Sequence, residues 1–185
     1  MPDLLPSDES LMQATANGDL NAFEEIVKRH QSWAWRTAYR FLGDKDESAD
    51  VVQEAFLRLL DASHRYKPKA KFRTYFYQII TRLCLDVTKK KKPRYMKELP
   101  KTADQNPDAS EVLIGNETAA AVRSALQSLP PNQRLAIIYR YYENMNYHEI
   151  ASVLETTPKA VERLLARGRH RLRVILNEKD NSFCS

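Results

Sequence analysis

The stretch "NMNYHEIASVLETTPKAVERLLARGRHRL", Asn144–Leu172, contains two helix starts in quick succession. Asn146 can cap the first, and Glu149, three residues on, completes a capping box. Ile150, Val153 and Leu154 give that short helix, about Tyr147–Leu154, an apolar side, and Ala151 is small where a second helix must cross closely. Glu155–Thr157 forms a turn. Thr157 can then cap a longer helix, and Pro158 suits its first position, where a missing N–H costs nothing. Val161, Leu164, Leu165, Gly168, Leu172, Ile175 and Leu176 recur at helical spacing, so one stripe faces a core. The pattern is a helix-turn-helix, whose second helix enters a DNA major groove by its N-terminal residues. It does without the glycine that the turn often carries, since Glu155 and Thr156 stand there.

The second helix crowds Arg163, Arg167, Arg169 and Arg171 together. Lys159, Arg163, Ala166, Arg167 and His170 fall away from the apolar stripe. A solvated face beside a core stripe, or a helical pair that only binds protein, are the bland alternatives. Phosphates and base edges are the partners that so much positive charge fits best.

The 185 residues allow one domain or two small ones. Four glycines and an apolar share of 43% suit compact helices, and neither strand-like alternation nor an internal repeat occurs. No apolar run approaches a membrane span, and "MPDLLPSDES" lacks the basic-then-apolar order of a secretory signal. Cys84 and Cys184 are too few and too distant for a disulfide framework or a zinc site. Cys84 sits among Ile80, Leu83 and Val87 and reads as a small core residue. A cytoplasmic protein without a membrane partner is expected.

The net charge of +5 hides a division along the chain. Residues 1–61 carry six Lys/Arg against twelve Asp/Glu, and residues 62–101 thirteen against two. Residues 102–119 carry none against four, and residues 120–185 ten against six. Blocks of opposite sign suggest two kinds of partner, because an acidic face repels nucleic acid while a basic one attracts it.

Amphipathic helices are expected over about 8–16, 19–41, 46–61 and 72–91, with Gly43, Asp44 and Asp46 marking the turn between the second and third. "KKKKPRYMKELPKTADQNPDASE", Lys89–Glu111, is polar, proline-bearing and without period, so most of it reads as a linker. A second helical unit follows over about 112–178, with Pro130 and Pro131 opening the helix that contains Gln133–Glu143. The expected fold is all-α: two small helical domains joined by a flexible linker, the second ending in the helix-turn-helix. The boundaries are 1–92, a linker 93–117, 118–178, and a tail 179–185.

Two features of the first domain carry chemistry. Asp50, Gln53 and Glu54 share one helix face, opposite a side of Val51, Val52, Ala55, Phe56, Leu59 and Leu60. "KAKFRTYFYQIITRLCLDVTKKKK" pairs aromatic rings with cations, the combination that stacks unpaired bases and neutralises their phosphates. Ile79, Ile80, Leu83 and Val87 form its buried stripe, and Phe76 is expected in the core. Trp33 and Trp35, on an earlier helix, are assigned to structure.

The order of these parts resembles the sigma-70 family, in the small extracytoplasmic-function group that keeps regions 2 and 4. Three blocks carry the resemblance: "DESLMQATANGDLNAFEEIVKRHQ", "DESADVVQEAFLRLLDASHRYKPKAKFRTYFYQIITRLCLDVTKK" and "ALQSLPPNQRLAIIYRYYENMNYHEIASVLETTPKAVERLLARGRHRLRVIL". The family often shows Asp-Ala-Glu-Asp where this chain reads Glu47-Ser48-Ala49-Asp50, and tryptophan where it has Tyr75.

The resemblance implies a bacterial sigma factor that directs core RNA polymerase to promoters and assists melting of the −10 element. Asp50, Gln53 and Glu54 would grip the clamp of the polymerase's largest subunit, with the flap as a further contact. Phe72, Arg73, Thr74 and Tyr75 would capture a flipped base of the −10 strand, Arg82 and Asp86 would line it, and Lys89, Lys90, Lys91 and Lys92 would track phosphates. On the −35 element, Lys159, Glu162, Arg163 and Ala166 would read bases while Arg167, Arg169 and Arg171 hold the backbone. A separate anti-sigma protein is a further partner the resemblance allows.

The main rival is a helix-turn-helix regulator acting without polymerase, which leaves the first hundred residues without a job. An enzyme on nucleic acid needs clustered carboxylates or a nucleophile–base pair. His30, His64, His148 and His170 are scattered, so no catalytic residue, metal or cofactor is expected. An adaptor holding another protein between two helical domains stays open.

Overall fold

The computed structural model describes residues 6–66, 71–95 and 113–182, with side chains described to Lys90 in the first domain, from Ala119 in the second, and to Asn177. Its described residues form helices and one short 3-10 turn. The helices are α1 (Asp8–Ala16), α2 (Leu20–Leu42), α3 (Lys45–Ala62), α4 (Phe72–Tyr95), α5 (Leu113–Gln127), α6 (Pro131–Tyr141), α7 (Tyr147–Val153) and α8 (Pro158–Ser182). The 3-10 turn, Ser63–Arg65, ends α3. The all-α expectation holds. Most of the expected linker, 96–112, lies outside the described residues. Its two ends are helical, since α4 runs on to Tyr95 and α5 begins at Leu113; the tail expected from 179 begins inside α8.

Local chemistry sets the helix ends. Asp19 Oδ1 accepts from the N–H groups of Asn21 and Ala22 at 2.9 and 3.2 Å and so starts α2. Gly43 stops it with a left-handed φ of 77°, its N–H returning 2.8 Å to the Tyr39 carbonyl. Asp44 at once caps α3 through the N–H of Glu47, 2.8 Å away. The α2–α3 hairpin therefore needs a single glycine and one aspartate.

The first domain packs α1–α4 around rings. Phe41, Phe72, Phe76 and Tyr77 are fully buried with Met12, Ile26, Leu59 and Ile80. Trp33 meets Phe76 edge-on at 5.4 Å and Tyr77 at 4.4 Å between centroids, while Phe56 closes on Phe76 at 4.9 Å. Such pairs add roughly 0.5–1.5 kcal/mol each beyond the area they bury. Cys84 is buried, as expected, and its thiol is pushed up to about 12 by desolvation, which leaves it inert as a nucleophile.

The second domain, α5–α8, uses aliphatic packing instead. Leu135, Ile138, Ile150, Val161 and Leu165 are buried to 1% exposure or less. A Cβ added at Gly168 would stand 3.1 Å from Ile137 Cγ1, so the absent side chain lets α8 lie tightly on α6. The two bundles also pack on one another: α2 touches α5 and α6, and α4 touches α6 and α7. Sequence periodicity does not reveal that seam.

Candidate nucleic-acid and polymerase interfaces

The helix-turn-helix forms as the residues imply. Asn146 Oδ1 accepts from the N–H groups of His148 and Glu149 at 2.9 and 3.0 Å, and Glu149 Oε2 returns 2.9 Å to the Asn146 N–H. Thr157 Oγ1 accepts from the Ala160 N–H at 3.2 Å and starts α8. In the turn, Glu155 itself takes the left-handed conformation, φ 51°, that glycine would adopt freely. The Thr156 N–H bonds the Ala151 carbonyl at 2.9 Å and ties that turn to α7.

From this start α8 presents its cations outward. Lys159, Glu162, Arg163, Ala166, Arg167, Arg169 and Arg171 are all exposed, while Val161, Leu165 and Gly168 face α6 and α7. None of these four arginines forms an ion pair among the described residues. The helix is a charged surface without an ion-pair partner among the described residues.

The basic face of α4 differs. The Phe72 N–H donates 3.1 Å to Glu9 Oε1, which tethers the start of α4 to α1. That bond holds the Glu9 carboxyl below its ordinary value. The Phe72 ring is 1% exposed, 5.0 Å from His30 and 5.9 Å from Phe76. This corrects its expected role: a ring in the core cannot stack a flipped base. The run of rings in "FRTYFY" hid this, because positions 75 and 76 are both helical neighbours of 72, and only the packing shows that Phe72 and Phe76 enter the core while Tyr75 stays half-buried. Tyr75 is half-buried against Tyr66, with centroids 5.6 Å apart, and Thr74 beside it is half-buried too. Arg73 and Arg82 are exposed, as is Asp86, which lies 3.4 Å from Lys89 Nζ. Lys89 and Lys90 extend the exposed cationic edge; Lys91 and Lys92 continue the helix, and their side chains lie outside the described residues.

Arg73 and Arg82 of α4 are both engaged by the second domain. Arg82 pairs with Glu155, and Arg73 Nη2 lies 3.0 Å from the Tyr77 hydroxyl and 3.3 Å from Glu143 Oε2. Burial works against the charge of Arg73, but the bonds to Tyr77 and Glu143 outweigh it and raise its pKa. The Tyr77 hydroxyl donates to Glu143, and its pKa is raised by burial first and by that bond second. Glu143 drew no attention in the sequence, since a lone acid after "YRYY" carries no periodic or motif signal.

A third surface lies on α3. Asp50 and Gln53 are exposed, and half-buried Glu54 pairs with Arg58 at 2.8 Å. Leu57, 52% exposed, shares their face and was not singled out by sequence. Beside it runs a groove of about 570 Å³ between α2 and α3, lined in part by Val27, Trp35, Val52, Gln53 and Phe56. Ser48, in the divergent Glu47-Ser48-Ala49-Asp50 stretch, is buried, its hydroxyl on the Asp44 carbonyl at 2.5 Å. No group of three metal-ligating side chains occurs among the described residues, and no described helix is long and apolar enough to cross a membrane.

The family model for sigma-70 region 2 matches residues 26–94, and that for sigma-70 region 4 matches residues 119–172. An ECF RNA polymerase sigma factor of Mycolicibacterium smegmatis, SigE, is 30% identical over 177 residues, covering 91% of this chain and 68% of that protein. SigW of Bacillus subtilis, also an ECF sigma factor, is 27% identical over 172 residues and covers 87% and 92%. Among solved structures, CnrH in complex with the cytosolic domain of CnrY superposes with a TM-score of 0.71 at 25% identity, covering 94% of this chain and 99% of that one.

Proposed function

The chain belongs to the sigma-70 family, as an RNA polymerase sigma factor of the ECF type, and on that premise we propose how its surfaces divide the work. The α3 face of Asp50, Gln53, Glu54 and Leu57, with the groove beside it, takes the polymerase clamp. Tyr75, with Thr74, Arg73 and Arg82 around it, takes the unpaired −10 strand, and Lys89–Lys92 follow its phosphates. Lys159, Glu162, Arg163 and Ala166 meet −35 base edges, with Arg167, Arg169 and Arg171 on the backbone. The observation that carries this reading is the outward charge of α8, unpaired among the described residues, at the end of a helix-turn-helix. A phosphate lattice gives such charge its partners.

The family is non-catalytic: it brings the polymerase to the start site and leaves chemistry to the core enzyme. A regulator acting without polymerase would leave α3's exposed Leu57 and acidic face unexplained. Reconstitution with core polymerase tests the assignment. Reversing the charge of Asp50 together with Gln53→Ala should abolish holoenzyme formation while thermal melts stay unchanged. A folded double variant that binds core with unaltered affinity would remove α3 from that interface.

A further inference from the structure

A groove of about 700 Å³ runs between α2 and α5, and among the described residues none of α4 or α8 lines it. Positions 36, 39 and 40 share one face of α2, and positions 119, 122, 123 and 126 share one face of α5. Three guanidiniums, those of Arg36, Arg40 and Arg123, enter its lining. Against them stands one carboxylate: Arg40 Nη1 lies 3.6 Å from Glu143 Oε1, and Glu143 also takes Tyr77, Thr37 and Arg73. Arg123 Nη1 donates 2.6 Å to the Tyr39 hydroxyl, a neutral partner, with its guanidinium 5.3 Å from the centroid of that ring. Arg36 has no hydrogen-bond or ion-pair partner among the described residues. Arg73 and Arg82 each meet a carboxylate of the second domain, whereas Arg36 and Arg123 are exposed and meet none among the described residues.

The rest of the groove is apolar and aromatic. Val122 and Leu126 form a wall from α5, and the Tyr142 ring, 42% exposed, lies 4.4 Å from the Arg40 guanidinium that covers it. Guanidinium forks match phosphate oxygens in pairs. A ring beside an aliphatic wall accepts the flat face of a base. The α5 side of the lining runs about two helical turns, roughly 11 Å, and the volume is that of a small-molecule site. Such a length holds one nucleotide, while a nucleic-acid strand or a peptide helix needs a longer track. We propose that this groove binds a nucleoside di- or triphosphate, with the phosphates on Arg36, Arg40 and Arg123 and the base against Tyr142, Val122 and Leu126. The polymerase and promoter surfaces do not require the site. Arg36 alone touches them, since it also borders the groove between α2 and α3.

The test uses the full chain and a ribose-labelled fluorescent ATP, displaced by unlabelled competitors. The probe should bind saturably at a single site, and ATP should displace it. Tripolyphosphate should displace it roughly tenfold more weakly than ATP, the share of one stacked base, and adenosine more weakly still. Arg123→Gln should weaken the probe by roughly tenfold, as loss of a charged contact does, and Arg36→Gln should do the same. Lys28→Gln with Arg173→Gln, which removes more charge but outside the groove, should leave binding unchanged. Tyr142→Ala should weaken ATP and leave tripolyphosphate as it was. All these side chains are exposed, and thermal melts of each variant confirm that it folds. Absence of saturable binding would overturn the proposal. Equal displacement by tripolyphosphate and ATP would do so too, because it marks an anion site only, as would indifference of the probe to both arginine variants. A short single-stranded DNA that displaces the probe more tightly than ATP, and loses that ability with Arg123→Gln, would assign the groove to nucleic acid instead.

Discussion

Two helices of this molecule carry the cations for DNA, and they are held in opposite ways. The arginines of α8 are exposed and form no ion pair among the described residues, while Arg73 and Arg82 of α4 are paired with carboxylates from the other domain. The difference follows from what lies beneath each helix. α8 rests on aliphatic side chains of its own bundle, and Gly168 brings it close to α6, so its charged side faces outward. α4 lies at a seam: Phe72 and Phe76 bury into its own domain, and Tyr77 turns towards Tyr139 and Glu143. A cationic surface is thus left open or paired with carboxylates according to the packing of its reverse side and its neighbours, not according to its charge.

The strongest test of that contrast is the pair of rings at the start of α4. Phe72→Ala should destabilise the first domain by about 3–5 kcal/mol, the usual cost of removing a buried ring. Tyr75→Ala, which removes a half-buried ring, should cost clearly less in urea unfolding yet reduce transcription from duplex promoters, with recovery on a template whose −10 region is already mismatched. Equal unfolding costs would mean that Tyr75 too is a packing residue. Next in size is α8. Arg163→Ala should lose about 1–3 kcal/mol of discrimination in the −35 element. Arg171→Ala should weaken all sequences alike and flatten the salt dependence. Matching profiles across a library of −35 variants would contradict that division.

A smaller effect separates binding from stability on α4. The Arg82–Glu155 pair is more than half exposed on both sides, so it is worth about 0–1 kcal/mol. Arg82→Ala should leave the melting temperature nearly unchanged while weakening the holoenzyme's hold on a −10 single strand. A large fall in melting temperature would show the pair to be structural.

The smallest effect is a pH dependence at the seam. The folded-state pKa of Tyr77 lies above its unfolded value of about 10, so its contribution is complete below that pH and is lost as pH rises beyond it. Melting temperature should be flat up to about pH 10 and fall above it. Tyr77→Phe should reduce the fall, leaving the share of Tyr139, whose pKa burial also raises. An identical alkaline slope in Tyr77→Phe would place the titration elsewhere.

Much of the architecture was legible residue by residue. Asn146 with Glu149 and Thr157 with Pro158 act within one turn of chain, so their caps could be read directly, while Gly43 and Asp44 were legible only as a turn. The stripe from Val161 to Leu165 and the outward set from Lys159 to Arg171 follow from helical period alone. Phe72 was misread because a ring next to arginine fits both a core and a stacking platform, and only its neighbours His30 and Phe76 decide between them. Leu57 was missed because one leucine on an acidic face is unremarkable until its exposure is known.

By itself the sequence determined the helices, their caps and the sign of each surface, because those depend on side chains three or four residues apart. Tertiary structure alone decided which cations remain available. Glu143 lies 70 residues from Arg73 and 66 from Tyr77 in the chain. No local pattern records which donors will surround a carboxylate once two bundles meet, since burial and pairing are properties of the packed seam. The partners of Arg73 and Arg82 are therefore fixed by the meeting of the domains and not by the segments that carry them.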